Sequence, residues 1–204
     1  IINPLGEETS VMRTTLIPNM LDIISTNISH KVESVSAFEC GNTFTPQNGL
    51  PVETKKFCVG MYGKEVDFFV LKGVIEATLN NVGFKGYEIE PETNNSTFHP
   101  GRCAKVVYNN IYIGTFGELH PDVIENYNLG QRIYVAEINV DLVFENLTAI
   151  KLYSPLPKYP STSRDIALIV KDEVFVKQIE DIIKANSTEI VEKYELFDVY
   201  KGSQ

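Results

Sequence analysis

The chain has 204 residues, of which 43% are hydrophobic and 22% charged, and its formal net charge is −9. This composition is typical of a globular protein and excludes a disordered tail. The acidic balance argues against sequence-independent binding of nucleic acid, and without an apolar run of about 18 residues a membrane-spanning helix is excluded.

Two helices are predicted in the first half of the chain. The first covers residues 15–30, where apolar side chains recur at spacings of three and four. The second follows Asp67, a suitable N-cap, and ends at Gly83. Gly73 lies inside it at a cost of about 1 kcal/mol relative to alanine, which predicts close packing against a neighbour. The apolar stripe of the second helix is Leu71, Val74, Ile75, Leu79 and Val82.

Strands are predicted around these helices. Residues 35–44 read as a strand that is broken at Gly41, and Pro121 begins a short helix. Asn109 and Asn110 form a two-residue connection that suits a tight hairpin turn, because asparagine tolerates positive φ. The other predicted strands cover residues 57–61, 87–90, 104–108, 111–116 and 133–140.

A proline-rich stretch, residues 151–160, predicts a linker between a module at 1–150 and a second module at 161–204. The second module is predicted to contain a strand at 166–170, a helix at 174–186 and a strand at 191–200. Two strands form a marginal sheet by themselves. Because the chain also lacks an initiator methionine, we expect it to be a fragment of a longer protein.

The cysteines and histidines form no recognisable catalytic or metal-binding pattern. Cys40, Cys58 and Cys103 are widely spaced, which disfavours a disulfide framework or a zinc site and favours a reducing compartment. Each lies in or beside a predicted strand, so a buried small hydrophobic role is favoured over a nucleophile. The histidines lack the spacing of metal ligands. The sequence therefore predicts no metal site.

Seven segments spread over nearly the whole chain carry a further signal. They are NPLGEETSVMRTTLIP at 3–18, FECGNTF at 38–44, DFFVLKGVIE at 67–76, FHPGRCA at 98–104, GTFGELHP at 114–121, YPSTSRDIAL at 159–168 and LFDVYKG at 196–202. In this order they resemble the bacterial phenylalanyl-tRNA synthetase β subunit family. One such match would be weak, whereas seven in order are specific.

The resemblance implies an α+β fold in two parts. Residues 1–150 would form a class II aminoacyl-tRNA synthetase core-like antiparallel sheet with flanking helices. Residues 161–204 would form the first half of a ferredoxin-fold anticodon-binding domain, a truncated RRM-like β-α-β unit. In the family, the subunit joins an α subunit in a cytoplasmic (αβ)₂ heterotetramer that charges tRNA(Phe). ATP and Mg²⁺ serve the whole enzyme, and we expect no cofactor in this fragment and no membrane contact.

The core-like module lacks the charges that adenylation requires. Active class II cores stabilise the phosphates of ATP with arginines on two motifs. The segments that resemble these motifs, 38–49 and 135–142, contain no arginine, and none lies between Arg13 and Arg102. We therefore interpret the module as a scaffold or interface that contributes no catalytic residue to an ATP-dependent ligase.

Four residues are candidates for binding an anion or a partner. Arg13 and Arg102 could bind an anion, the latter beside the amides of the Pro100-Gly101 turn; an ion pair with a carboxylate is the alternative for both. Glu118 and His120 would face one side of a strand. The alternative for His120 is a turn that starts the helix at the following proline.

Two other functions stay open. The C-terminal piece could bind tRNA, with Phe197 and Tyr200 stacking on bases and Lys201 beside them, although such aromatics are often core or edge residues. A stand-alone enzyme that adenylates a carboxylate is the third possibility, and the missing arginines disfavour it.

Overall fold

The computed structural model describes residues 1, 3–7, 10–147, 153, 158–188 and 190–200. The chain divides into two compact units, Ile1–Tyr153 and Ser154–Gln204. Most of the predicted linker, 151–160, lies outside the described residues, as does Lys201. Among the helices of the described residues, none has both the length and the apolar character needed to cross a bilayer.

The first unit contains four helices and six strands in its described part. The helices are α1 (Ile17–Ser29), α2 (Phe68–Asn81), α3 (Pro121–Asn126) and α4 (Val140–Glu145). The strands are β1 (Val35–Thr45), β2 (Val52–Tyr62), β3 (Glu88–Pro91), β4 (Phe98–Tyr108), β5 (Ile111–Leu119) and β6 (Tyr134–Asn139). They form one antiparallel sheet in the order β1-β2-β6-β5-β4-β3. This architecture confirms the predicted antiparallel sheet with flanking helices.

The sheet lies between two hydrophobic cores. On one side, Leu71, Ile75 and Leu79 of α2 pack with Phe116 of β5 and Val143 of α4. On the other side, the apolar residues of α1 pack with β2, β5 and β6. The buried residues of α1 are Met20, Leu21 and Ile24. Both faces of the central strands are therefore covered, which explains why Val135 and Ala136 of β6 are both buried.

Helix α2 follows its sequence signals closely. The Asp67 side chain accepts a hydrogen bond from the Val70 N–H at 2.8 Å, which confirms the predicted N-cap. Gly83 has φ +87° directly after the helix end, a conformation that glycine adopts without strain. Val82 departs from the predicted stripe: it is the C-cap and its side chain is 43% exposed.

Strand boundaries differ from the prediction where the backbone is irregular. Strand β1 continues through Gly41, which pairs with Lys56, so the predicted break is wrong. A Cβ at Gly41 would collide with the Arg13 guanidinium, so glycine makes room for a side chain. Strand β4 begins at Phe98 and not at residue 104 as predicted. A register shift between Phe98 and Cys103 interrupts the alternation of apolar and polar residues that marks a strand in the sequence. The hairpin turn is confirmed: both of its asparagines, Asn109 and Asn110, have positive φ.

The second unit contains one helix in its described part, α5 (Val176–Asn186). This confirms the predicted helix, and the Gln178 side chain accepts a hydrogen bond from the Phe175 N–H at 3.0 Å. The strands predicted at 166–170 and 191–200 are absent: neither stretch has strand hydrogen bonds. A strand needs a hydrogen-bonded neighbour, and apolar alternation reports only that one face prefers burial.

Two glycines of the first unit give opposite expectations for substitution. Apart from its own helix backbone and chain neighbours, no atom of the described residues lies within 4 Å of a Cβ built at Gly73, so the close packing predicted there is not formed. At Gly114, a Cβ would collide with the Glu137 carbonyl oxygen and would lie 2.8 Å from the Ile138 Cα. Gly114 is therefore required by the approach of β5 to β6.

We expect Gly114→Ala to lower the free energy of unfolding by about 2 kcal/mol or more, because backbone must move to admit the methyl group. Gly73→Ala is the matched control and should raise it by about 1 kcal/mol through helix propensity. Urea denaturation followed by circular dichroism measures both. Equal stabilities of the two variants would contradict the close approach of β5 to β6.

Candidate functional site

One carboxylate of β6, Glu137, holds the start of α1 against the sheet. Its Oε1 accepts hydrogen bonds from the Thr15 hydroxyl and the Leu16 N–H, both at 2.6 Å. Its Oε2 accepts one from the Lys56 Nζ of β2 at 2.7 Å. A carboxylate at a helix N-terminus accepts hydrogen bonds from the free amides there and interacts favourably with the positive end of the helix dipole. Sequence analysis missed this arrangement because the participants are far apart in the chain.

Arg13 forms a second ion pair, at strand β1. Its Nη1 lies 2.7 Å from the Glu39 Oε1, and its Nε donates a hydrogen bond to the Asn42 carbonyl oxygen at 3.0 Å. The guanidinium lies against Gly41, where a Cβ would displace it. The charge of Arg13 is therefore compensated by a carboxylate, the alternative considered for it from the sequence.

Three charged side chains meet in a cleft between strands β4 and β5 and the segment that follows α3. The Glu118 side chain is only 5% exposed, and its two oxygens face different arginines. Its Oε2 lies 3.1 Å from the Arg102 Nε, and its Oε1 lies 3.7 Å from the Arg132 Nε. Burial, followed by the charge of Glu118, raises the pKa of the neighbouring Tyr134 hydroxyl. Tyr134 is therefore neutral at physiological pH.

The cleft has a volume of about 720 Å³, and its lining combines charged, polar and apolar side chains. It brings together Arg102 and Glu118, two of the residues singled out from the sequence. Arg132 was missed because it lies in a loop outside any predicted element. The feature of the sequence that could have drawn attention to Arg132 is its position two residues before strand β6. The lining residues outside the charged triad include His99, Pro121, Ile124, Glu125 and Asn128.

Glu118 and His120 do not face one side of a strand, and the turn considered as the alternative for His120 is confirmed. Strand β5 ends at Leu119, and His120 is the N-cap of α3, where its Nδ1 accepts a hydrogen bond from the Asp122 N–H at 3.3 Å. The backbone turns here, so the strand alternation no longer applies. The Gly101 N–H donates to the His99 Nδ1 at 3.0 Å, so this amide already has a partner.

The candidate tRNA contacts lie in the second unit. The side chains of Phe197 and Tyr200 are 75% and 87% exposed. They are therefore available to a ligand and are not core residues of the described part of this unit. Lys201 lies outside the described residues.

The cysteines are structural rather than reactive, with one exception. Burial is the main cause that raises the pKa of the Cys58 and Cys103 thiols to about 12 each. Cys40 is exposed, which corrects the prediction that all three are buried. It lies on edge strand β1 near Phe38, whose side chain is 74% exposed. Within the described residues, no group of three or more histidine, cysteine or acidic side chains could hold a metal ion.

Two family descriptions match the chain, one for each part. Residues 1–140 match "Phenylalanyl tRNA synthetase beta chain CLM domain", and residues 157–204 match "Ferredoxin-fold anticodon binding domain". These matches follow the resemblance that was read from the seven sequence segments.

Similar proteins carry one common name. Phenylalanine–tRNA ligase β subunits of Clostridium acetobutylicum and Clostridium tetani are 44% and 42% identical to this chain over its full length. The β subunit of Bacillus subtilis is 32% identical over 98% of the chain. In each case the chain spans about a quarter, 26%, of the length of the curated relative.

Solved structures share the fold of the first unit. A pyrrolysyl-tRNA synthetase of Desulfitobacterium hafniense superimposes with a TM-score of 0.55 over 65% of this chain and 48% of its own. The sequence identity is only 13%, so the similarity concerns the fold alone. It confirms the synthetase core-like fold that was expected from the sequence.

The three thiols should differ in reactivity at pH 8. A pKa near 12 keeps Cys58 and Cys103 protonated at that pH, whereas thiolate is the reactive form. We expect Cys40 alone to react rapidly with a disulfide reagent in the native chain, and all three cysteines to react after denaturation. Cys40→Ser should remove the fast phase. A fast phase that persists in this variant would contradict the burial of the other two.

Proposed function

This chain belongs to the phenylalanyl-tRNA synthetase β chain family, and from this premise we propose that it is a non-catalytic scaffold and interface portion of the β subunit. In this role it supports the ATP-dependent charging of tRNA(Phe) by an α subunit. The observation that carries the proposal is a synthetase core-like sheet on which three cations are each paired with a carboxylate: Arg13 with Glu39, Lys56 with Glu137, and Arg102 with Glu118.

Electrostatics favour the scaffold role over catalysis. Adenylation gathers the phosphates of ATP around a carboxylate, so the site must supply positive charge that no protein anion already neutralises. In each ion pair the carboxylate would repel a phosphate that approached the cation. Glu137 also accepts a hydrogen bond from the Leu16 N–H at the start of α1, so turning this carboxylate away to free Lys56 would leave that amide without its partner. These groups therefore stabilise the fold, and the fragment by itself is inactive.

The exposed aromatic residues of the first unit support an interface. Phe38 of β1, Phe69 of α2 and Phe144 of α4 have side chains that are 74%, 73% and 59% exposed. Interface cores are enriched in such side chains. We propose that part of this surface contacts an α subunit within a cytoplasmic (αβ)₂ heterotetramer. ATP and Mg²⁺ would act in the α subunit and not in this unit.

The second unit suggests a contribution to tRNA binding. The match of residues 157–204 to a ferredoxin-fold anticodon-binding domain supports a role of the unit around α5 in tRNA binding. The exposure of Phe197 and Tyr200 supports stacking on bases, and Lys201 would add a phosphate contact. A half-domain would bind tRNA poorly by itself.

The scaffold role predicts that an intact β subunit needs this module to assemble with α. A β subunit without residues 1–140 of this chain should not form the complex, and charging of tRNA(Phe) should fall to background. Single Phe38→Ser, Phe69→Ser and Phe144→Ser variants test the surface; at least one should weaken association about tenfold, as interface aromatics do. Analytical ultracentrifugation and aminoacylation assays measure these effects.

The matched control for these variants is Tyr159→Ser, an equally exposed aromatic residue of the second unit (75% exposed). It should leave association with the α subunit unchanged. Normal assembly and charging by the β subunit that lacks the module would refute the scaffold role.

The purified chain should catalyse no ATP–pyrophosphate exchange with phenylalanine or other carboxylates. The physical reason is that Arg13, Lys56 and Arg102 are each already paired with a carboxylate, which would repel the phosphates of ATP. The complete ligase, assayed in parallel, is the positive control. Exchange above the background of a heat-denatured sample would show that the fragment is an enzyme.

A further inference from the structure

The cleft around Glu118 has a feature that the scaffold role does not use. Glu118 bridges two guanidinium groups through different oxygens while its side chain is only 5% exposed. Its Oε2 and the Arg102 Nε are both buried and have no hydrogen-bond partner, although they lie 3.1 Å apart. A buried carboxylate is costly unless its surroundings compensate it. We propose that this cleft binds a single carboxylate group of a ligand.

The geometry leaves donors for such a ligand. A guanidinium has five N–H donors, and the contact with Glu118 is at the Nε of each arginine. Arg102 and Arg132 are 39% and 67% exposed at the mouth of the cleft, so part of each guanidinium is accessible to a ligand even though Arg132 also forms a hydrogen bond with Tyr134. Two such groups can form paired hydrogen bonds with one planar carboxylate. Glu118 is thus a positioning residue that holds both arginines in place.

Charge decides between a carboxylate and a phosphate. Arg102, Arg132 and Glu118 together carry one positive charge that a single carboxylate can face, and Glu125 brings the sum for the whole lining to zero. Glu125 also lines the cleft and would repel a doubly charged phosphate more strongly than a singly charged group. A ligand with one negative charge therefore fits best.

The volume and lining of the cleft indicate the chemistry of the remainder of the ligand. Its volume of about 720 Å³ exceeds what a carboxylate group fills, and Pro121 and Ile124 supply apolar lining for a short carbon chain. Two sources have this chemistry, an acidic side chain of a partner protein and a free small carboxylic acid. The inference rests on the cleft alone and does not depend on assembly with an α subunit.

The test is a titration of the ¹⁵N-labelled chain at constant ionic strength, followed by the Nε–H signals of its arginines. The probes are N-acetyl-glutamate methylamide, its neutral glutamine isostere, sodium acetate and inorganic phosphate. We expect saturable shifts of the Arg102 and Arg132 signals with the glutamate probe, with a Kd on the order of millimolar. The glutamine isostere should cause no saturable shift.

Variants at the exposed arginine separate geometry from charge. Arg132→Gln should weaken binding of the glutamate probe about tenfold, and Arg132→Lys should give an intermediate Kd because it keeps the charge but loses the planar fork. Arg164→Gln is the matched control, an exposed arginine of the second unit, and should bind like the unchanged chain. Circular dichroism verifies that each variant is folded.

The outcomes are distinct. Tighter binding of the glutamate probe than of acetate supports the inference and identifies a protein side chain as the source. Equal binding of the two also supports it and identifies a free acid. Tighter binding of phosphate, binding of the glutamine isostere, an unchanged Kd in Arg132→Gln, or no saturable shift up to about 50 mM probe, well above the expected Kd, would overturn it.

Discussion

The carboxylate of Glu137 is the interaction on which the first unit depends most. It lies on central strand β6, accepts two hydrogen bonds from the start of α1 and pairs with Lys56 of β2. One side chain therefore connects a helix to two neighbouring strands. Because removing one partner of a mostly buried ion pair leaves an uncompensated charge, these elements are held together as a set. Arg13 lies shortly before α1, and its carbonyl oxygen accepts a hydrogen bond from the Phe44 N–H of β1. The position of α1 therefore also determines where Arg13 meets this strand.

Pairing of a cation with a carboxylate recurs elsewhere in the first unit. A catalytic site keeps charge uncompensated until a substrate arrives, which costs stability. Here carboxylates occupy that role permanently, since Glu39, Glu137 and Glu118 each bind a cationic side chain. Each of these cations is therefore already paired within the first unit. The Glu118 cleft is the place in the described part of the first unit where two arginines share a single carboxylate.

Local signals in the sequence predicted the elements well, whereas contacts between distant residues were out of reach. The cap at Asp67 and the asparagine hairpin turn depend on neighbours in the chain, so they could be read directly. Gly41 was predicted to break the strand, but a glycine is needed there because Arg13, which is distant in sequence, occupies the space of a Cβ. Arg102 and Glu118 were found as residues, but their meeting with Arg132 follows from sheet order, which periodicity does not encode. The predictions of strands in the second unit were wrong for a related reason, since apolar alternation does not specify which strand a segment pairs with.

The central position of β6 has a consequence for synthesis on the ribosome. Strands β1 and β2 pair as neighbours in sequence, as do β3, β4 and β5, but β6 lies between β2 and β5 and is the last strand of the first unit. Until residues 134–139 leave the ribosome, β2 and β5 both have open edges. Open edges are prone to pair with other chains. Before β6 is made, the strands of this sheet can pair only as two separate parts, β1-β2 and β3-β4-β5, and β6 joins them.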